Sequence, residues 1–215
     1  MRKTLLSIAL ITTLSQANCL LTQADDINVS WRAFKTLSKI GVGGAFTDIK
    51  YTPNKKQGKN FQELFIGSKV LINTSKIDTK NPQRDKTIVE NFFNKLKGGK
   101  IEGVIKSIQR DKATKDEKIK HSGVVVVEIS MNENNLTVPM RYKYKDGVFK
   151  AKGVIDIFDF NGTNALKSIN KSCYDLHKGK TWNDVEIEFS TTIKASLCGV
   201  KIEGNVTKED VNSSK

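Results

Sequence analysis

The chain has 215 residues, 38% of them hydrophobic and 27% charged, with a formal net charge of +13. That length suffices for one domain with a sizeable core, and no run beyond the first two dozen residues is long or apolar enough for a membrane-crossing helix. The lysines are spread along the whole chain and no aromatic-glycine RNA-reading module occurs, so the charge reads as a basic surface suited to anionic partners, not as a nucleic-acid site.

Residues 1–24 read as an export signal. Arg2 and Lys3 form a charged start, residues 5–14 a short apolar run, and small or polar residues follow. Ala17 and Ala24 each offer a cleavage position, and the later one sets the expected boundary. Cys19 offers a further route, lipid modification, for which Gln16 and Asn18 are poor neighbours. Cleavage after Ala24 removes Arg2 and Lys3 with no acid, leaving a net charge of +11.

A single domain is expected over 25–205, followed by a polar tail over 206–215. Alternation of apolar and polar residues predicts about eight strands, at 27–35, 42–51, 64–73, 101–109, 119–131, 135–144, 148–157 and 184–194. After the first strand comes GVGGAF, residues 41–46, which opens the second. A phosphate-binding loop would need a helix next, and strand-like alternation follows instead, so the glycines are read as permitting a bend or bulge. After the third strand, Asn81 caps a helix over 82–96 with Pro82 in its first position and Gly98 and Gly99 beyond its end. Its apolar face carries Ile88, Val89, Phe92, Phe93 and Leu96. Asp85 suits the first helical turn, and Arg84 is expected to pair locally or with Asp78.

Residues 110–118 form a charged loop. His121 then falls in register with Ile119, Val125, Val127, Ile129 and Met131. There an inward imidazole would meet a ligand's polar end or be a satisfied core histidine, and otherwise the ring would sit at the exposed rim of the strand. Asp146 and Gly147 suit a tight hairpin. A second helix is expected over 164–177, with Ala165, Leu166, Ile169, Cys173 and Leu176 on one side and His177 at its C-terminal end. Cys173 and Cys198 are the two cysteines outside the export segment. Export permits a disulfide between them, worth roughly 3 kcal/mol in the chain-entropy picture, and free thiols are the alternative. His121 and His177 form no metal cluster with the cysteines, and no cofactor motif or activated nucleophile occurs.

The fold class is therefore mainly β: an antiparallel barrel of about eight strands with two α-helices, its interior either filled by side chains or holding one small ligand. A sandwich would show the same alternation.

Residues 75–93, SKIDTKNPQRDKTIVENFF, narrow this further. An extended segment ending at Ile77, Asp78 and Thr79 meets Asn81 and Pro82, then a helix carrying Arg84, Asp85, Phe92 and Phe93. Together with residues 41–46 and the TWNDV of 181–185, this layout resembles the YceI-like family of secreted lipid-binding proteins. The resemblance implies a lipocalin-like barrel with a helix beside it, a periplasmic location, and a long isoprenoid or similar lipid held inside. On that basis the lining is sought among Trp31, Phe46, Val125, Val127, Ile155, Ile157 and Phe160, with His121 near the ligand's polar end. The commoner family pattern has histidines near the first strand, and here residues 29–34 read VSWRAF. A different kind of reading is a basic interaction protein for anionic lipid headgroups or other envelope components. A third is an enzyme on a lipid or quinone precursor, for which no motif is present. The sequence leaves oligomeric state open, a homodimer included.

Overall fold

Twelve strands and four short helices emerge in a computed structural model that describes residues 19–112 and 121–197. In chain order they are β1 (Cys19–Gln23), β2 (Asn28–Lys35), β3 (Ile40–Phe46), β4 (Ile49–Thr52), β5 (Gln57–Gly58), α1 (Phe61–Phe65), β6 (Lys69–Asn73) and β7 (Ile77–Asp78). There follow α2 (Pro82–Asn91), a 3₁₀ turn (Phe93–Lys95), β8 (Lys100–Arg110), β9 (Ser122–Met131), β10 (Asn134–Lys145), β11 (Val148–Asp156), α3 (Thr163–Ser172), α4 (Tyr174–His177) and β12 (Asp184–Leu197).

All ladders between these strands are antiparallel, and the main path runs β4-β6-β8-β9-β10-β11-β12-β2-β3-β7. One end of that path, β4, follows β3 in the chain after only Thr47 and Asp48, and β3 is the last strand but one at the other end. The sheet therefore curls round into an incompletely closed, lipocalin-like barrel. A bulge between Ile105 and Ser107 in β8 adds to the curl. Two hairpins are tight: Asp146 and Gly147 join β10 to β11 with φ of 53° and 78°, and Asn132 and Glu133 join β9 to β10 with φ of 52° and 62°. Positive φ at both central residues matches the strand twist, and Asp-Gly tolerates it well.

The sequence expectation of about eight strands and two helices differs from the structure in several places. The short strands β1, β5 and β7 lie outside the expected eight, 42–51 divides into β3 and β4, and the helix expected over 82–96 ends at Asn91 before the 3₁₀ turn. The alternation over 64–73 hides α1, whose Phe61, Leu64 and Phe65 are also spaced for one helical face; Asn60 caps it, accepting from the Glu63 N–H at 2.9 Å. The expected helix over 164–177 breaks at Cys173 into α3 and α4. Finally, β1 falls inside the segment read as the export signal. It pairs with β12 and β5, the Gln23 amide donates to Thr191 Oγ1 at 3.1 Å, and the Tyr51 hydroxyl donates to Gln23 Oε1 at 2.9 Å.

The core is concentrated at one end of the barrel. Phe61, Leu64 and Phe65 of α1 plug it, and Phe149 packs against Phe61, Phe65 and Tyr142 with ring centroids 4.8–5.0 Å apart. Tyr142, Phe149 and Phe65 are fully buried there. Burying four aromatic rings and a leucine at one end stabilises the fold by about 1.5–3 kcal/mol per side chain and seals that end to solvent.

Candidate apolar binding cavity

The opposite end is hollow. Trp31, Ala33 and Lys35 of β2 alternate inward, as strand geometry requires, and Val185 and Ile187 do the same on β12. The helices roof this wall. Asn81 starts α2 by accepting from the Arg84 N–H at 2.9 Å, and Ser172 at the end of α3 donates to Asn91 Oδ1 of α2 at 2.7 Å. Ile88, Phe92, Phe93, Leu166 and Ile169 face down from the roof, and together they enclose a cavity of about 400 Å³.

A second hollow of about 100 Å³ continues from the first, sharing Phe46, Ile101, Met131, Ile155 and Ile187 with it. It reaches Ile27, Tyr51 and Val127 and ends short of the aromatic plug. The two form one elongated apolar channel. At α4 it has a mouth, where Leu176 lines the cavity and is nonetheless 70% exposed; the lining residues Asn81 and Gln83 at the start of α2 are exposed as well.

The polar lining groups fall in two places: Asn81, Gln83, Arg84 and Thr87 along α2, and Lys35, His177 and Thr181 at the mouth. Thr181 Oγ1 donates to Asn170 Oδ1 at 2.8 Å, so the His177 Nδ1–H donates to Thr181 Oγ1 at 2.6 Å and Nε2 is left as the acceptor of a neutral ring. Burial, and secondarily Lys35, push the His177 pKa down, and burial pushes the Cys173 thiol up. Deeper in, the Trp31 indole N–H is buried and has no hydrogen-bond partner among the described residues.

Arg84 and Asp85 do not face each other or Asp78. Both hold buried Thr79: its N–H and hydroxyl donate to Asp85 Oδ1, while the Arg84 guanidinium donates to its Oγ1 and carbonyl. Asp78 instead pairs with Lys80. The pair is an anchor fixing the roof helix to the end of β7. The glycines of β3 likewise serve close approach: the β2–β3 ladder is regular, and Gly41 and Gly44 lie under the side chains of Arg32 and Trp31.

Among the residues sought from sequence, Trp31, Phe46, Ile155 and Ile157 line the main cavity, and Phe46, Val127 and Ile155 line its extension. Val125 and Phe160 are fully buried in the packed core and lie on neither hollow. His121 is elsewhere. It precedes β9 at the plugged end, is exposed, and its ring lies 6.0 Å from that of Tyr144. Its register matches the inward face, but the strand has not yet begun there. Cys173 carries a free thiol, and Cys198 lies outside the described residues. Sequence reasoning missed Lys35, Ile187 and the roof residue Ile169 as lining. Continuing the alternation of Trp31 and Ala33 by one step would have found Lys35.

The YceI-like domain profile matches residues 21–193, and the chain belongs to that family. Its fold is shared by solved structures of low sequence identity. BcnA of Burkholderia cenocepacia is 15% identical, with a TM-score of 0.52 over 78% of this chain and 96% of its own. A polyisoprenoid-binding domain from Saccharophagus degradans is 8% identical, with a TM-score of 0.51 over 84% of this chain and 100% of its own. The YceI protein of Campylobacter jejuni is 16% identical, with a TM-score of 0.50 over 76% of this chain and 90% of its own. Among curated protein sequences none matches the chain significantly.

Proposed function

We propose that this protein is an exported, periplasmic carrier that encloses one long apolar chain, of isoprenoid type, in the barrel. The observation that carries the reading is the elongated apolar channel, open at α4 and stopped by the aromatic plug. Each methylene moved from water into such a channel contributes about 0.8 kcal/mol, so a long tail binds tightly with few polar contacts. The Trp31 N–H offers a single donor to an oxygen on the ligand. The family membership and the Saccharophagus domain's description as polyisoprenoid-binding support the choice of ligand. Binding is the role that the family membership supports, and the polar groups His177, Thr181 and Asn170 at the mouth hold one another. Export processing belongs upstream of β1, after Ala17, because cleavage after Ala24 would remove a strand of the sheet.

The test is to express the whole chain with its own export segment, isolate the mature protein, and record its intact mass under native and denaturing conditions. A stoichiometric lipid in the native spectrum and an N-terminus at Asn18 are expected. A protein that is empty and takes up no added polyprenol would overturn the carrier reading. Recovery only from the cytoplasm would overturn the location.

A further inference from the structure

The rim of the channel has a second character. Four of the eight large apolar side chains most exposed among the described residues gather there: Leu37 at 81%, Ile40 at 51%, Tyr174 at 61% and Leu176 at 70%. They come from two places in the chain, the β2–β3 turn with the first residue of β3, and α4, which the backbone holds together. The Thr36 N–H donates to the Lys180 carbonyl at 2.9 Å, the Trp182 indole N–H donates to the Thr36 carbonyl at 2.7 Å, and Lys35 bridges to Thr181. Leu37 and Leu176 therefore belong to one rigid edge, and Leu176 makes that edge continuous with the cavity.

Lysines flank the same edge. Lys39 and Lys180 lie over the Trp182 ring at 4.5 and 4.4 Å, and Lys178 follows α4 in the left-handed conformation with its side chain exposed. The acids nearby are Asp184, taken up by Lys39 at 2.8 Å, and exposed Asp175. Lys178 and Lys180 form no ion pair with any described residue. Exposed aliphatic and aromatic side chains ringed by cations are the composition that seats a surface in the headgroup–acyl boundary of an anionic bilayer. Self-association through this edge would press like charges together, on a mature chain still at +11.

We infer that this rim docks the protein onto an anionic lipid surface, with the mouth facing the membrane. Leu37, Ile40 and Tyr174 enter the boundary layer, Lys178 and Lys180 meet lipid phosphates, and a lipid chain passes between bilayer and channel along Leu176 without crossing water. The use of the docking rests on the carrier reading; the docking itself does not.

The experiment is flotation of the mature protein with vesicles of pure phosphatidylcholine and of equal parts phosphatidylcholine and phosphatidylglycerol, at low and raised salt. Cavity occupancy is followed separately by native mass. The wild type should float with the anionic vesicles and lose them as salt rises. Leu37→Ser with Tyr174→Ser, and separately Lys178→Glu with Lys180→Glu, should each weaken that binding about tenfold or more, with circular dichroism and cavity occupancy unchanged. Equal binding to both vesicles, no vesicle binding, or wild-type binding by both variants overturns the inference. So does a dimer in solution that Leu37→Ser with Tyr174→Ser converts to a monomer, which would assign the rim to a second copy. An empty cavity with intact anionic-vesicle binding sinks the carrier reading and leaves the docking standing.

Discussion

Trp31 lies directly across the β2–β3 ladder from Gly44, and its indole fills the space that a Cβ at position 44 would need: Cζ2 would be 2.6 Å away. The methyl of Thr79 would be 2.9 Å from the same Cβ. The glycine thus lets a large ring lie flat along the channel wall, and the roof anchor Thr79 closes over it. Gly44→Val should push the indole into the channel and lower stability by about 1–3 kcal/mol, the usual cost of overpacking. Thermal unfolding and tryptophan emission check it; an unchanged melting temperature with an unshifted emission maximum would contradict the packing.

Ile155 touches both hollows and is only half-buried, because it borders space instead of packed atoms. Ile155→Glu should leave the fold intact while cutting polyprenol uptake tenfold or more, since an unpaired carboxylate in an apolar channel is costly once lipid displaces its water. Native mass after incubation with polyprenol reads the effect. Wild-type uptake by a folded variant would mean that the chain runs elsewhere.

Asp85 is the acceptor for both donors of Thr79. Asp85→Ala leaves a buried N–H without its acceptor, at a cost of about 1–3 kcal/mol. The urea midpoint should fall accordingly, and Asp85→Asn, which keeps the acceptor oxygen, should fall less. Equal midpoints for wild type and Asp85→Ala would remove the anchor role.

Burial and Lys35 hold the His177 pKa below the ordinary histidine value of 6.5. The unfolded chain therefore binds a proton that the folded ring does not, and stability rises with pH across that interval. This contribution is complete above 6.5 and is lost as pH falls through 6.5 toward the depressed folded value. His177→Gln keeps a donor for Thr181 and should flatten that part of the melting-temperature profile. A slope identical to wild type would show that other groups produce it.

Much of the scaffold was legible because its cause is local. The clean alternation of Leu136 through Tyr144 marks β10, and Asp146-Gly147 names its turn; Asn81-Pro82 and the apolar face from Ile88 to Phe93 mark the roof helix. Where two periods overlapped, local reading gave way. Leu64 and Phe65 fit both a helix face shared with Phe61 and the start of the alternating run over 64–73, and the packing of Phe61 and Phe65 on Phe149 chooses the helix. Asn132-Glu133 carries no strong turn signal, and the pairing of β9 with β10 imposes its positive φ.

By itself, then, the sequence determined which segments extend, which coil, and which side of each strand is apolar, since those follow from residues a few positions apart. It also carried the family layout of residues 75–93. The tertiary structure decided where those faces meet. Ladder register sent His121 past the end of its strand, brought Lys35 beside His177, and set β1 against β12. It also decided that one end of the barrel is filled and the other hollow. Space is a property of side chains converging from distant segments: α1 supplies three bulky residues to one end, while at the other the roof helices stand off from β2 and β12 and leave the channel between them.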